Sequence, residues 1–120
     1  MTRSALLVAG LALVTAPAHG HDIYANVKNK FGFSCCNGQD CRPAPYRATA
    51  SGIEMLIDGR WLPLHAEDIQ YRAIPGDTGE TQGGHWCGRY VELARGFLTY
   101  CAFLPPHAAA LPHVTRRHHL

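Results

Sequence analysis

Five cysteines, Cys35, Cys36, Cys41, Cys87 and Cys101, sit in a chain of only 120 residues. A chain this short closes a small core, and cysteine pairing is the usual supplement where the compartment is oxidising. Each bridge contributes ~2–4 kcal/mol, against the ~5–15 kcal/mol that holds a domain folded. Five is odd, so two bridges leave one thiol, free or paired with another chain. The spacing alone leaves several two-bridge patterns open.

The start of the chain points to such a compartment. Met1-Thr2-Arg3 is short and basic, residues 5–14 carry no charge, and Thr15-Ala16-Pro17-Ala18-His19-Gly20 is a stretch of mostly small residues. That order is a signal peptide. Its apolar run is shorter than the ~20 residues that span a bilayer. Ala18 and Gly20 suit cleavage after Gly20, and Ala16 and Ala18 suit the alternative after Ala18. The expectation is a periplasmic or secreted protein with no transmembrane segment once the signal is removed.

Charge excludes one class of partner. Arg3, Arg116 and Arg117 lie outside residues 21–104, which leaves 8 basic against 9 acidic side chains there. A nucleic-acid binder shows a basic face or stripe, and this body has none.

Turn signals divide residues 21–104 into short extended pieces. Residues 21–33 form an N-terminal segment with Tyr24, Phe31 and Phe33 as apolar anchors, and Asn37-Gly38 marks a cysteine-bearing loop. Strands are predicted over 46–50, 52–57 and 60–64. Asp58-Gly59 is a hairpin turn of type I′, which needs positive φ at both positions. Pro63 places its strand at an edge. Residues 65–70 suit one helical turn, and 71–74 are extended. Residues 75–84, with Pro75 their one apolar side chain, read as a mobile loop.

The last two strands are predicted over 85–92 and 97–104, joined at Ala94-Arg95-Gly96 by a type I turn with a glycine bulge. That hairpin brings Cys87 and Cys101 together and makes them the first bridge candidate. Trp61, Trp86, Tyr71, Tyr90, Phe97, Tyr100 and Phe103 fall on predicted strands and read as core. Residues 105–120, rich in Pro, Ala, His and Arg, read as a disordered tail. The fold class is therefore mainly β: a small disulfide-stapled domain of hairpins, residues 21–104, with short helical turns at most.

The order His21-Asp22-Ile23-Tyr24, Cys35-Cys36, Asp40-Cys41-Arg42-Pro43, Cys87 and Cys101-Ala102-Phe103-Leu104-Pro105-Pro106 resembles a group of small exported bacterial proteins. That group begins its mature part His-Asp-Trp-Tyr, carries a Cys-Cys-x-x-x-Asp-Cys loop and ends in a Cys-x-Phe-x-Pro-Pro strand. This chain differs at Ile23, where the group has tryptophan, and in its longer segment 25–33. The resemblance implies a small periplasmic or secreted domain starting at His21, and it carries no activity across.

Three chemistries set expectations for a site. If His21 is the mature N-terminus, its α-amine and ring chelate Cu(II), and His65 or His85 completes a three-nitrogen set. If His19 is first, His19-Gly20-His21 forms a planar four-nitrogen site. The plainer alternative is a histidine that merely follows a cleavage site. Vicinal Cys35-Cys36 with Cys41 suggests a thiol–disulfide relay, but Arg42 is its one close cation and there is no Cys-x-x-Cys, so a structural role is the better reading. Cys36, Cys41, His85 and Cys87 do not make a zinc-finger spacing. The tail histidines His107, His113, His118 and His119 read as solvated. Nothing matches a nucleophile elbow or a phosphate loop, and Asp22, Asp40, Glu67 and Asp68 read as turn and surface residues. The leading expectation is a non-enzymatic structural or binding module without a cofactor. Copper binding is the alternative and thiol–disulfide chemistry the weaker one. An intermolecular disulfide is a further outcome for the odd cysteine.

Overall fold

The computed structural model describes Gly10 and residues 22–111. Apart from Gly10, the expected signal peptide with both its expected cleavage positions, His19, His21 and residues 112–120 lie outside the described residues.

With the strands numbered in chain order, one three-stranded antiparallel sheet is built from β2 (Tyr46–Thr49), β3 (Gly52–Ile57) and β4 (Arg60–Pro63), in that order. Ile53, Met55 and Ile57 are buried and alternate with half-buried neighbours, the period-2 pattern of a strand with one core face. Asp58 and Gly59 turn the chain with φ of 48° and 77°, the positive pair a type I′ turn requires. Pro63 lies on the edge strand, where its missing N–H leaves no gap in a ladder. Across the sheet Arg47 pairs with Glu54 at 2.8 Å and stacks 4.1 Å above the Trp61 ring.

The second sheet has four strands: β1 (Asp40–Pro43), β5 (Ile69–Tyr71), β6 (His85–Val91) and β7 (Gly96–Leu104), ordered β1-β6-β7-β5. The 85–92 and 97–104 strands form the expected hairpin. β5 runs parallel to β7, however, and β1 joins β6 from far away in sequence. The domain is mainly β and stapled by two disulfides, as expected, and beside its hairpins it has these two non-local pairings, which no turn residue announces.

The four-stranded sheet is covered on both faces. Trp86, Ala102 and Leu104 face the three-stranded sheet and pack with Ala44, Met55 and Ile57. Cys87, Cys101 and Phe103 face the other way, under Tyr24, Val27, Cys35 and Ile74. This explains why β6 and β7 each bury four consecutive residues instead of alternating. A bulge between Cys87 and Gly88 resets the register. A β-carbon at Gly88 would collide with the Leu98 carbonyl and the Trp86 ring, so the glycine makes room for the tryptophan.

Several expectations are corrected. Residues 105–111 are folded: Pro106–Ala110 forms a 3-10 turn whose Ala108 is buried in the main core, with Leu111 packed beside it. Loop 75–84 is tied down, with Tyr46 Oη donating to the Gln82 carbonyl at 3.1 Å and Thr81 Oγ1 to the Gly84 carbonyl at 2.6 Å. Of the expected aromatic core, Trp86 and Phe103 are fully buried, whereas Tyr71 and Tyr90 are exposed. Tyr24 is a buried anchor, but Phe31 and Phe33 are not.

The β6–β7 turn spans residues 92–95, and the positive φ falls on Arg95 (49°) rather than on Gly96. A side chain in the left-handed region carries a penalty that glycine escapes. Arg95→Gly is expected to raise stability by about 0.5–1 kcal/mol. The check is a higher urea midpoint at unchanged slope.

Candidate functional site

The cysteines form a row across the sheet. Cys41, Cys87 and Cys101 are register partners on β1, β6 and β7. Directly opposed residues of antiparallel strands point to the same face, so Cys87 has a cysteine on either side. It bonds Cys41, with a Cα–Cα distance of 4.1 Å. Cys101 instead bonds Cys35, which reaches down from the covering segment with Cα–Cα 5.9 Å. The expected Cys87–Cys101 bridge is thus corrected. The two lie opposite each other as predicted, but the β1 pairing that gives Cys87 a second neighbour was not visible in the local pattern. Both bridges are intramolecular.

Cys36 is the odd thiol. Its Sγ donates to the Tyr24 carbonyl at 3.3 Å and lies 3.3 Å from Cys41 Sγ. Burial pushes this thiol above its ordinary value. The vicinal pair is therefore not a dithiol, because Cys35 is already bonded, and its free member is held in the less nucleophilic form. One thiol per native chain should alkylate, at Cys36, more slowly at pH 7 than the same thiol in urea. Faster labelling in the folded state would put the thiol–disulfide reading first.

Beside the cysteines lies a buried polar relay. Tyr24 Oη is 2.7 Å from His85 Nδ1, and His85 Nε2 is 3.1 Å from Asp77 Oδ1. The second contact is close but off the N–H direction, leaving Nε2 without an aligned hydrogen bond. His85 is 1% exposed and Tyr24 3%. Burial, and behind it the charges of Asp77 and Glu80, pushes the Tyr24 hydroxyl far above its usual range, so Tyr24 is the donor. Burial also lowers His85 below 6.5, with Asp77 and Glu80 opposing. The neutral ring therefore accepts at Nδ1 and carries its proton on Nε2, close to Asp77 but not aligned with it. Asp77 is fixed by the backbone N–H of Gly79 at 3.2 Å. The relay joins the N-terminal segment, loop 75–84 and β6.

Because folding lowers the His85 pKa, the unfolded chain binds a proton that the folded chain excludes. The stabilising contribution is full above the unfolded value of about 6.5 and is lost as pH falls from there through the folded value. The expected result is a urea midpoint that drops between pH 7.5 and 5.5, with a smaller drop in His85→Gln. Equal drops in both proteins would remove His85 as the cause.

His65, the other predicted ligand, is exposed, at the start of the 3-10 turn Ala66–Asp68. His85 is buried with each ring nitrogen already facing a partner, and His21 is outside the described residues. Among the described residues no group of three or more His, Cys, Asp or Glu side chains is placed to hold a metal ion.

The feature that sequence reasoning missed is loop 28–34. Lys28 and Ser34 form a β-bridge at its base. Asn29 Oδ1 accepts from the backbone N–H groups of Phe31 at 3.0 Å and Phe33 at 2.9 Å. Asn29 N–H donates to the Phe33 carbonyl at 2.8 Å. Gln70 Nε2 donates to the Lys28 carbonyl at 2.9 Å, which docks the loop on β5. The result is a rigid loop that holds Phe31 83% exposed and Phe33 65% exposed. A shallow depression beside it is lined by Lys30, Phe31, Glu67, Asp68 and Tyr100, among others. The signal was present: Asn29 with Gly32 three residues later is turn chemistry, and a turn projects its side chains outward.

No known protein family matches the chain, and neither a curated protein nor a solved structure matches it significantly. Among the described residues no helix is long and apolar enough to cross a membrane.

Proposed function

We propose that this protein is an exported, non-enzymatic binding module that engages its ligand through loop 28–34. The carrying observation is the pair of exposed phenylalanines, held in place by the Asn29 side chain. Single exposed apolar residues are ordinary, but two exposed phenylalanines two residues apart on a pre-formed loop support an interaction site. Rigidity favours binding, since little loop entropy is lost on association. The remaining chemistry of the domain supports a scaffold role. Tyr24 and His85 of the relay are buried and tie segments together, and the Cys36 thiol is hydrogen-bonded to the Tyr24 carbonyl.

The test is site-specific photo-crosslinking in the exporting cell. A benzophenone side chain at position 33 is expected to give a discrete adduct, and the same group at exposed position 60, on β4, is expected to give none. Absence of any adduct at 33, or equal labelling at both positions, would overturn the reading.

A further inference from the structure

Three sulfurs meet on the covered face of the four-stranded sheet, and one of them is free. Cys36 Sγ lies 3.3 Å from Cys41 Sγ, and Cys41 is bonded to Cys87. Atoms held about 3–3.5 Å apart are placed to react. We propose that Cys36 is an internal exchange thiol for this bridge: Cys36 and Cys87 are alternative partners of Cys41, and the odd thiol passes between them. The proposal is independent of the role given to loop 28–34.

The local sequence builds the contact. Asn37-Gly38 turns the chain, with Gly38 at a φ of 70°, so that Cys36 and Cys41 come back together. The Tyr24 carbonyl accepts from the Cys36 thiol at 3.3 Å and holds its sulfur beside the bridge. From the other side, Cys87 is the register partner of Cys41 on β6. Cys41 thus stands between two sulfurs, one brought by a turn and one by a strand pairing.

The exchange balances within the chain. Cys36 gives up its proton and its thiolate attacks Cys41 Sγ. The Cys36–Cys41 bond forms as the Cys41–Cys87 bond breaks. The electron pair leaves on Cys87 Sγ, which takes up a proton. Nothing is oxidised or reduced overall, and no outside reagent is consumed. What changes is the clasp on edge strand β1. The Cys41–Cys87 bond ties β1 to β6, whereas a Cys36–Cys41 bond closes only the turn and leaves β1 to its backbone ladder. Separations of 5 and 46 residues differ in loop-closure entropy by roughly 30-fold in favour of the short ring. Docking β1 on β6 reverses that preference by setting Cys41 against Cys87. The short ring is therefore the bond of an undocked β1, and the long one the bond of a docked β1.

The test reads thiols in the full chain by alkylation of acid-quenched, denatured samples and acid-protease peptide mapping. Cys87→Ser, equilibrated in a glutathione redox buffer, is expected to join Cys36 to Cys41, keep Cys35–Cys101 and leave no thiol to alkylate. Two thiols at 36 and 41, or any other pairing, in the folded variant would overturn the proposal. The wild type is then held in mildly alkaline buffer without oxidant or reductant. Label is expected to appear on Cys87 and level off at about 1–10% of chains, the range of a minor state, while label on Cys36 falls by the same amount. Cys36→Ser, with both bridges kept, is expected to show no Cys87 label. Cys87 label that stays below that range, or that appears equally in Cys36→Ser, overturns the exchange. The wild-type measurement decides the matter if Cys87→Ser does not fold.

Discussion

The disulfide from Cys35 to Cys101 holds the N-terminal segment against the four-stranded sheet, and most of the rest depends on it. Without that cover, Cys87, Cys101 and Phe103 would face water across the sheet. The bond closes a sequence separation of 66 residues. In the chain-entropy view a loop of that length restricts the unfolded ensemble by about 4 kcal/mol. The second bridge, Cys41–Cys87, fastens the edge strand β1 to β6 on the same face. Two covalent ties therefore replace the apolar area that a 90-residue domain lacks.

The cover brings a polar group with it. Tyr24 arrives over the sheet beside Cys35 and meets His85, and loop 75–84 supplies Asp77 to the other ring nitrogen. A buried histidine without partners would be strongly destabilising. With Tyr24 donating and Asp77 near Nε2, the site is tolerable only with the ring neutral, so cover and loop hold together best above the ordinary histidine range. The same crowding restrains the odd thiol. Cys36, half-buried next to Cys35, donates to the Tyr24 carbonyl and has its ionisation disfavoured by burial.

Loop 28–34 emerges from this anchored segment, between Val27 and Cys35, both buried. Its ends are fixed by the core, and Asn29 closes its interior. Phe31 and Phe33 stay exposed while their backbone N–H groups are held by the Asn29 side chain. The exposed aromatic surface is thus a consequence of how tightly its base is held.

Much of the fold was legible. Period-2 burial in β3, the Asp58-Gly59 turn, the edge proline at 63 and the β6–β7 hairpin all follow from residues close in sequence, where φ preference and side-chain alternation act locally. The bridge pattern, the parallel β5–β7 pair and the fate of the two loops did not, because they are set by partners dozens of residues away. Cys87 shows the difference well: its register opposite Cys101 came from one hairpin, but its bond to Cys41 came from a strand that local patterning does not reveal. Sequence offers His85 only as a histidine able to complete a copper set with His21, and its burial between Tyr24 and Asp77 is a tertiary fact. The amino-acid sequence by itself determined a small β domain with an odd number of cysteines, since turn chemistry, alternation and composition are local properties. Only the tertiary structure decided which cysteines meet, which histidine is buried and which aromatics face solvent, because those outcomes depend on which non-local surfaces pack together.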